Sequence, residues 1–132
     1  MIFKKGGVMT YDPQNIFARI LRGEIPCQKI YEDDFALAFY DVNPKTKIHA
    51  LVIPKAPYTS SFDFYSQAPS DMVIGFSRAI SKTVNELGLT QDPGFRLLMN
   101  TGPDAGQEVP HFHIHILGGQ SIGPMVCPHH GS

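Results

Sequence analysis

Gln107-Glu108-Val109-Pro110-His111-Phe112-His113-Ile114-His115-Ile116-Leu117-Gly118-Gly119 is the stretch on which the fold turns. Its histidines alternate with Phe112, Ile114 and Ile116. Successive side chains of a strand point to opposite faces, so only an extended chain collects three imidazoles on one side and three apolar groups on the other. A helix would scatter both sets around its axis. Same-face neighbours on a strand stand about 6.6–7 Å apart, close enough for adjacent rings to share a phosphate or a metal ion. A strand over His111 to Leu117, stopped by Gly118-Gly119, is the expectation, with its apolar side turned to a core.

Upstream of it, Phe95 to Asn100 reads as another strand and Thr101 to Gln107 as a loop with glycines at 102 and 106. Before those, Pro69-Ser70-Asp71 opens a long helix. Its apolar residues Val73, Phe76, Ile80, Val84 and Leu87 recur every three or four positions up to Gly88. Ile48 to Ile53 is apolar on both sides apart from His49, and Pro54 ends it. Two further β-type runs, Gln28 to Glu32 and Phe35 to Asp41, are divided by the turn residues Asp33-Asp34. In the second run Phe35, Leu37, Phe39 and Asp41 share a face, so Asp41 extends an apolar row, and Asn43-Pro44 closes it. Nearer the start, Asp12-Pro13 is a helix opening with Asp12 as cap. Ile16, Phe17, Ile20 and Leu21 lie on one face of that helix, which Gly23 and Pro26 end. The Ser- and aromatic-rich segment Tyr58 to Gln67 reads as a connection. Five strands and two helices predict an α+β domain on a mostly antiparallel sheet.

The 132 residues fit one domain. Residues 1–11 lack periodicity and contain Gly6-Gly7, so they read as a mobile arm, with Met9 a second candidate start. Residues 12–132 form the domain, with a C-terminal tail from about residue 120. Hydrophobic residues make up 42% and charged residues 17%, enough for a core. The formal charge of −1 supplies no basic field for a nucleic-acid polymer, which is therefore an unexpected partner. Apolar runs such as Ala50-Leu51-Val52-Ile53 are far short of a membrane span, and no signal-peptide pattern opens the chain, so no membrane partner and a cytoplasmic location are the expectations. Cys27 and Cys127 have no Cys-x-x-Cys spacing and read as reduced bystanders.

What remains conspicuous is histidine. Four of the six lie at His49, His111, His113 and His115. Three readings compete for the alternating triad: an ordinary strand with a wet polar face, a metal site completed by His49, or a nucleophilic histidine acting on phosphorus. Glu108 is the one carboxylate at a ligand-like spacing from the cluster, which weakens the metal reading. The phosphorus reading gains from the loop just upstream, where Asn100, Gly102, Gly106 and backbone N–H groups can receive phosphate oxygens. Close packing and partial burial of several imidazoles would favour the neutral form that a nucleophile needs.

At this point the chain resembles the histidine triad (HIT) proteins, whose motif is His-φ-His-φ-His-φ-φ with φ hydrophobic. His111-Phe112-His113-Ile114-His115-Ile116-Leu117 matches it at every position. The likeness runs over roughly residues 12–128. It includes Asn15-Ile16-Phe17-Ala18-Arg19-Ile20, Tyr31-Glu32-Asp33-Asp34, Ala38-Phe39-Tyr40-Asp41-Val42-Asn43-Pro44 and His49-Ala50-Leu51-Val52-Ile53-Pro54-Lys55, and it is similar to the histidine triad nucleotide-binding (Hint) branch.

The resemblance implies a five-stranded antiparallel sheet with two helices, and a homodimer in which two such sheets join into one of ten strands through the long helix and a strand. It implies hydrolysis of purine nucleoside phosphoramidates and aminoacyl adenylates, with His113 attacking the α-phosphorus to form a nucleotidyl-histidine. His115 would contact a non-bridging oxygen, and His111 and His49 would orient and tune the triad. Ile16, Phe17, Ile20, Phe39, Tyr40 and Val42 would form the purine pocket, Asp41 would hold the ribose hydroxyls, and Asn100, Gly106, Gln107 and Glu108 would line the phosphate side. The leaving amine needs a proton, from Glu108 or from a charged histidine. Some relatives carry a zinc-binding Cys-x-x-Cys pair where Asn15 and Ala18 stand here, so the expectation is no metal and no cofactor. The expected partner is a purine nucleotide such as an AMP or GMP derivative. A dinucleoside polyphosphate hydrolase, a nucleotidyl transferase, or a nucleotide-binding interaction module with little turnover are the alternatives.

Overall fold

Turn chemistry builds the first hairpin. The Asp33 carboxylate accepts the backbone N–H groups of Phe35 and Ala36, which reverses the chain between strand β1, Lys29–Glu32, and strand β2, Ala36–Tyr40. The computed structural model describes residues 10–127. The other elements are helix α1, Ile16–Leu21; strand β3, Ile48–Pro54; helix α2, Ser61–Gln67; helix α3, Ser70–Glu86; strand β4, Arg96–Leu98; and strand β5, Ile114–Gly118. The five strands form one antiparallel sheet, as expected, and their order is β1-β2-β3-β5-β4.

Register assigns each face. Val52 pairs with Ile114 and Ala38, while Leu51 pairs with His115 and Phe39. Paired residues share a face, so Ala36, Ala38, Ala50, Val52, Ile114 and Ile116 point one way. There they meet Phe76, Ile80 and Val84 of α3, together with Phe64 and Phe112, in the main core. The opposite face carries Leu37, Phe39, Leu51 and Ile53, which pack under Phe17 of α1. His49 and the triad fall on this second face. Alternation in the sequence thus separates the core from the chemistry. Burying Phe64, Phe76 and Phe112 fully stabilises the first face by about 2–3 kcal/mol each.

Several expectations need correction. Helix α1 begins after Asn15 rather than after Asp12, because the Asn15 side chain accepts the Ala18 N–H. Asp12 instead holds the preceding turn, its backbone carbonyl accepting both the Asn15 N–H and the Asn15 side-chain amide. The segment Tyr58 to Gln67 contains α2, which adds a third helix. Ser60 and Asp63 cap it reciprocally. Phe35 leaves the row of Leu37 and Phe39 and lies on α3, where a Cβ at Gly75 would stand 2.2 Å from its ring. Strand β5 is shorter than His111 to Leu117. Pro54 has no N–H to continue the ladder, and its carbonyl is taken by the His111 ring, so His111 and His113 precede the paired segment. Strand β4 is likewise confined to Arg96–Leu98.

At the ends, residues 1–9 of the expected arm lie outside the described residues, as do residues 128–132. Tyr11 belongs to the folded unit, since its hydroxyl reaches His111. Residues 121–127 have no helix or strand, and the Arg96 guanidinium donates to the Gly123 and Pro124 carbonyls.

Candidate active site

Three elements aim at one place: the end of β2 brings Asp41, β3 brings His49, and the extended run into β5 brings the triad. Each imidazole has a partner that decides where its proton sits.

A carbonyl can only accept, so His111 donates from Nε2 to the Pro54 carbonyl at 2.9 Å and leaves Nδ1 to accept from the Tyr11 hydroxyl at 2.7 Å. By the same logic His113 donates from Nδ1 to the carbonyl of His111 at 2.7 Å, which leaves its Nε2 with the free lone pair. His49 Nδ1 accepts the Lys45 backbone N–H at 3.0 Å, so its proton is on Nε2. That N–H donates to His115 Nδ1 at 2.9 Å, with an Asp41 carboxylate oxygen 3.4 Å away. His115 is therefore left with an Nε2–H donor. The cluster presents one nucleophilic nitrogen, on His113, and one ring donor, on His115.

Burial keeps these rings neutral. His111 is pushed down to about 4 chiefly by burial, which outweighs its bond to Pro54. His115 also falls to about 4, by burial first and then by repulsion from His113 and His49. His113 lies below the usual imidazole value through burial, opposed by its bond to the His111 carbonyl and by the charges of Asp41 and Glu108. His49 is lowered by burial, with Asp41 opposing. Mutual repulsion, expected from the sequence to share the work, is secondary.

In front of His113 opens a cavity of about 430 Å³. Every predicted site residue except His111 and Gly102 lines it: Ile16, Phe17, Ile20, Phe39, Tyr40, Asp41, Val42, His49, Asn100, Gly106, Gln107, Glu108, His113 and His115. His111 is 1% exposed and lies behind His113. Phe17 meets Phe39 edge to face at 5.6 Å and His113 at 5.0 Å, so an apolar slot adjoins the nucleophile. Val42 stands at the rim, 88% exposed.

Two side chains on the loop side differ in kind. Gln107 is buried and spent on the fold. Its amide donates to the Thr59 and Val109 carbonyls at 2.6 and 3.1 Å and accepts the Gly102 N–H at 3.1 Å. Its contribution is to hold the loop rather than to offer a free group. Glu108, by contrast, is exposed at the cavity mouth.

Reasoning from the sequence missed Lys45, Leu98 and the run Ile25-Pro26-Cys27, all of which line the cavity. Cys27 is thus no bystander in position, although burial raises its thiol. Another omission is Tyr11, whose partner lies a hundred positions away.

The HIT domain family model matches residues 22–122. The chain belongs to the HIT family. It is 50% identical over 117 residues to an uncharacterised 13.2 kDa HIT-like protein of Azospirillum brasilense, covering 89% of this chain and 95% of that one. It is 38% identical over 115 residues to a purine nucleoside phosphoramidase of Escherichia coli K12, covering 86% and 94% respectively. Among solved structures, a HIT family hydrolase from Clostridium thermocellum superposes with a TM-score of 0.77 at 33% identity, covering 86% of this chain and 97% of that one.

Within this HIT site, Asp41, His49 and His115 each offer a ligand atom, all within 4.8 Å of one another. A cation there would displace the bond from His49 to His115. Asn15, where some HIT relatives carry cysteine, is committed to capping α1, and Ala18 is a buried methyl.

Proposed function

We propose that this HIT protein hydrolyses purine nucleoside phosphoramidates and aminoacyl adenylates through a nucleotidyl intermediate on His113. The observation that carries the reading is the Nε2 lone pair of His113, held toward an open cavity by the bond from its Nδ1–H to the His111 carbonyl. The purine would enter the slot between Phe17 and Phe39, and Asp41 would accept from the ribose hydroxyls.

In the first step His113 Nε2 forms a bond to the α-phosphorus, and the bond from phosphorus to the leaving nitrogen breaks as that nitrogen takes a proton. The cavity mouth, where Glu108 is exposed, is open to the solvent that would supply this proton. The His115 Nε2–H donates to a non-bridging oxygen, whose charge grows in the transition state. In the second step water attacks phosphorus and gives up a proton to solvent at the cavity mouth, and the bond from phosphorus to Nε2 breaks, restoring neutral His113 and releasing the nucleoside monophosphate.

The working unit proposed is a homodimer. Strand β4 is an edge of the sheet and is surrounded by exposed Phe95, Leu97, Leu98 and Met99, which an added strand and its neighbours would cover. A cytoplasmic location belongs to the same proposal. No helix among the described residues is long and apolar enough to cross a membrane.

The test is a substrate panel of adenosine and guanosine phosphoramidates, an aminoacyl adenylate and a dinucleoside polyphosphate, given to the wild type and to His113→Ala. Release of amine with a loss of about 1,000-fold or more in the variant supports the reading. Equal turnover by the two proteins removes His113 as nucleophile, and preference for the polyphosphate moves the protein to another leaving group.

A further inference from the structure

We propose that Tyr11 is a positioning residue of the triad, its hydroxyl fixing the His111 imidazole so that the carbonyl of residue 111 can hold the His113 ring.

Three bonds in series make the case. The Tyr11 hydroxyl lies 2.7 Å from His111 Nδ1, the His111 Nε2–H donates to the Pro54 carbonyl at 2.9 Å, and the His111 carbonyl accepts the His113 Nδ1–H at 2.7 Å. His111 is 1% exposed, so water cannot stand in for the tyrosine at Nδ1 without a change in packing. Tyr11 also packs across the ring, with centroids 5.7 Å apart at 65°, while Phe17 abuts both His111 and His113. Remove the hydroxyl and a buried acceptor loses its partner. The ring then gains by turning over or by taking a proton, and either change disturbs the residue whose backbone anchors the nucleophile. Tyr11 itself does not reach the cavity, so its effect on chemistry passes through His111.

Burial fits this picture. It raises the Tyr11 hydroxyl above its usual value and lowers His111, so at neutral pH the hydroxyl keeps its proton to donate and the ring accepts it.

The experiment uses the full-length chain with Tyr11→Phe, which keeps the ring and removes one oxygen. A control, Tyr31→Phe, removes a hydroxyl that donates to Asp33 in the distant hairpin. The first readout is the ring-nitrogen chemical shift of His111 by NMR. In the wild type it should report a neutral ring with hydrogen on Nε2; in Tyr11→Phe the Nδ1 resonance should move by several ppm, and in Tyr31→Phe it should stay. The second readout rests on the proposed hydrolase function. Tyr11→Phe should lower kcat about 10-fold with KM changed less than about 2-fold, because the loss is in nucleophile alignment. Tyr31→Phe should retain wild-type kcat. A His111 spectrum in Tyr11→Phe identical to that of the wild type overturns the proposal whatever the kinetics. So does an unchanged kcat accompanied only by a lower Tm, which would make the contact merely structural. If the wild type turns over nothing in the panel, the proposed hydrolase reading fails while the NMR readout still decides the role of Tyr11.

Discussion

Acid should unfold this protein through the same burial that keeps its nucleophile neutral. His111 is nearly inaccessible and its pKa lies at about 4, against about 6.5 for an unfolded imidazole. Between those values the unfolded chain binds a proton at this site and the folded chain does not. Stability is therefore complete above pH 6.5, declines as pH falls toward 4, and receives no further loss from this group below that. The size of the loss, at 1.36 kcal/mol per unit, is about 3 kcal/mol from His111 alone. That is a large share of the roughly 5–15 kcal/mol typical of a folded domain. The perturbation is His111→Gln, whose amide can donate to the Pro54 carbonyl but cannot titrate. The chain has no tryptophan, so urea unfolding is followed by far-ultraviolet circular dichroism at intervals from pH 7 to 4. The wild-type midpoint should drop by about 1–3 M urea more than that of the variant over this range. Glu32, held down to about 2 by Lys29 and Lys55, releases its contribution between about pH 4.5 and 2, mostly below this window and in both proteins alike. Parallel pH profiles for wild type and variant would refute the claim that buried, neutral His111 is what acid attacks.

Two other outcomes are expected. Gln107→Ala should cost about 1–3 kcal/mol in thermal unfolding by leaving the Gly102 N–H and two carbonyls without their partner, and should raise KM through a loosened loop; an unchanged Tm and KM would contradict the bonds described. Leu97→Glu should convert a dimer to a monomer in light scattering after size exclusion, and a monomeric wild type would end the dimer proposal.

The sequence disclosed most where a period was undisturbed. Strand alternation in Phe112-His113-Ile114-His115-Ile116 assigned core and site faces, and the three-and-four spacing of Val73, Phe76, Ile80 and Val84 located α3. Helix α2 escaped because its Phe62, Phe64 and Tyr65 carry no helical stripe over seven residues, although Ser60 and Asp63 stood at the right spacing to reveal the cap. Phe35 broke its period because the absent side chain of Gly75 opens a place for its ring on α3, a fact of packing that no local pattern contains. Phe17 and Phe39 show a different limit. Both are buried and both line the cavity, so an apolar row reads the same whether it serves core or ligand. Asp41 was legible as the polar end of such a row, whereas the proton positions on the four imidazoles depend on carbonyls and a hydroxyl far away in the chain.

The central claim is that His113 Nε2 attacks phosphorus, and rapid quenching during turnover of an adenosine phosphoramidate tests it directly. Intact-mass and peptide mass spectrometry should find one adenylyl group on His113, absent from His113→Ala and released by water at a rate no slower than turnover. Turnover without any adduct at the earliest quench, or an adduct on His115 instead, would contradict it.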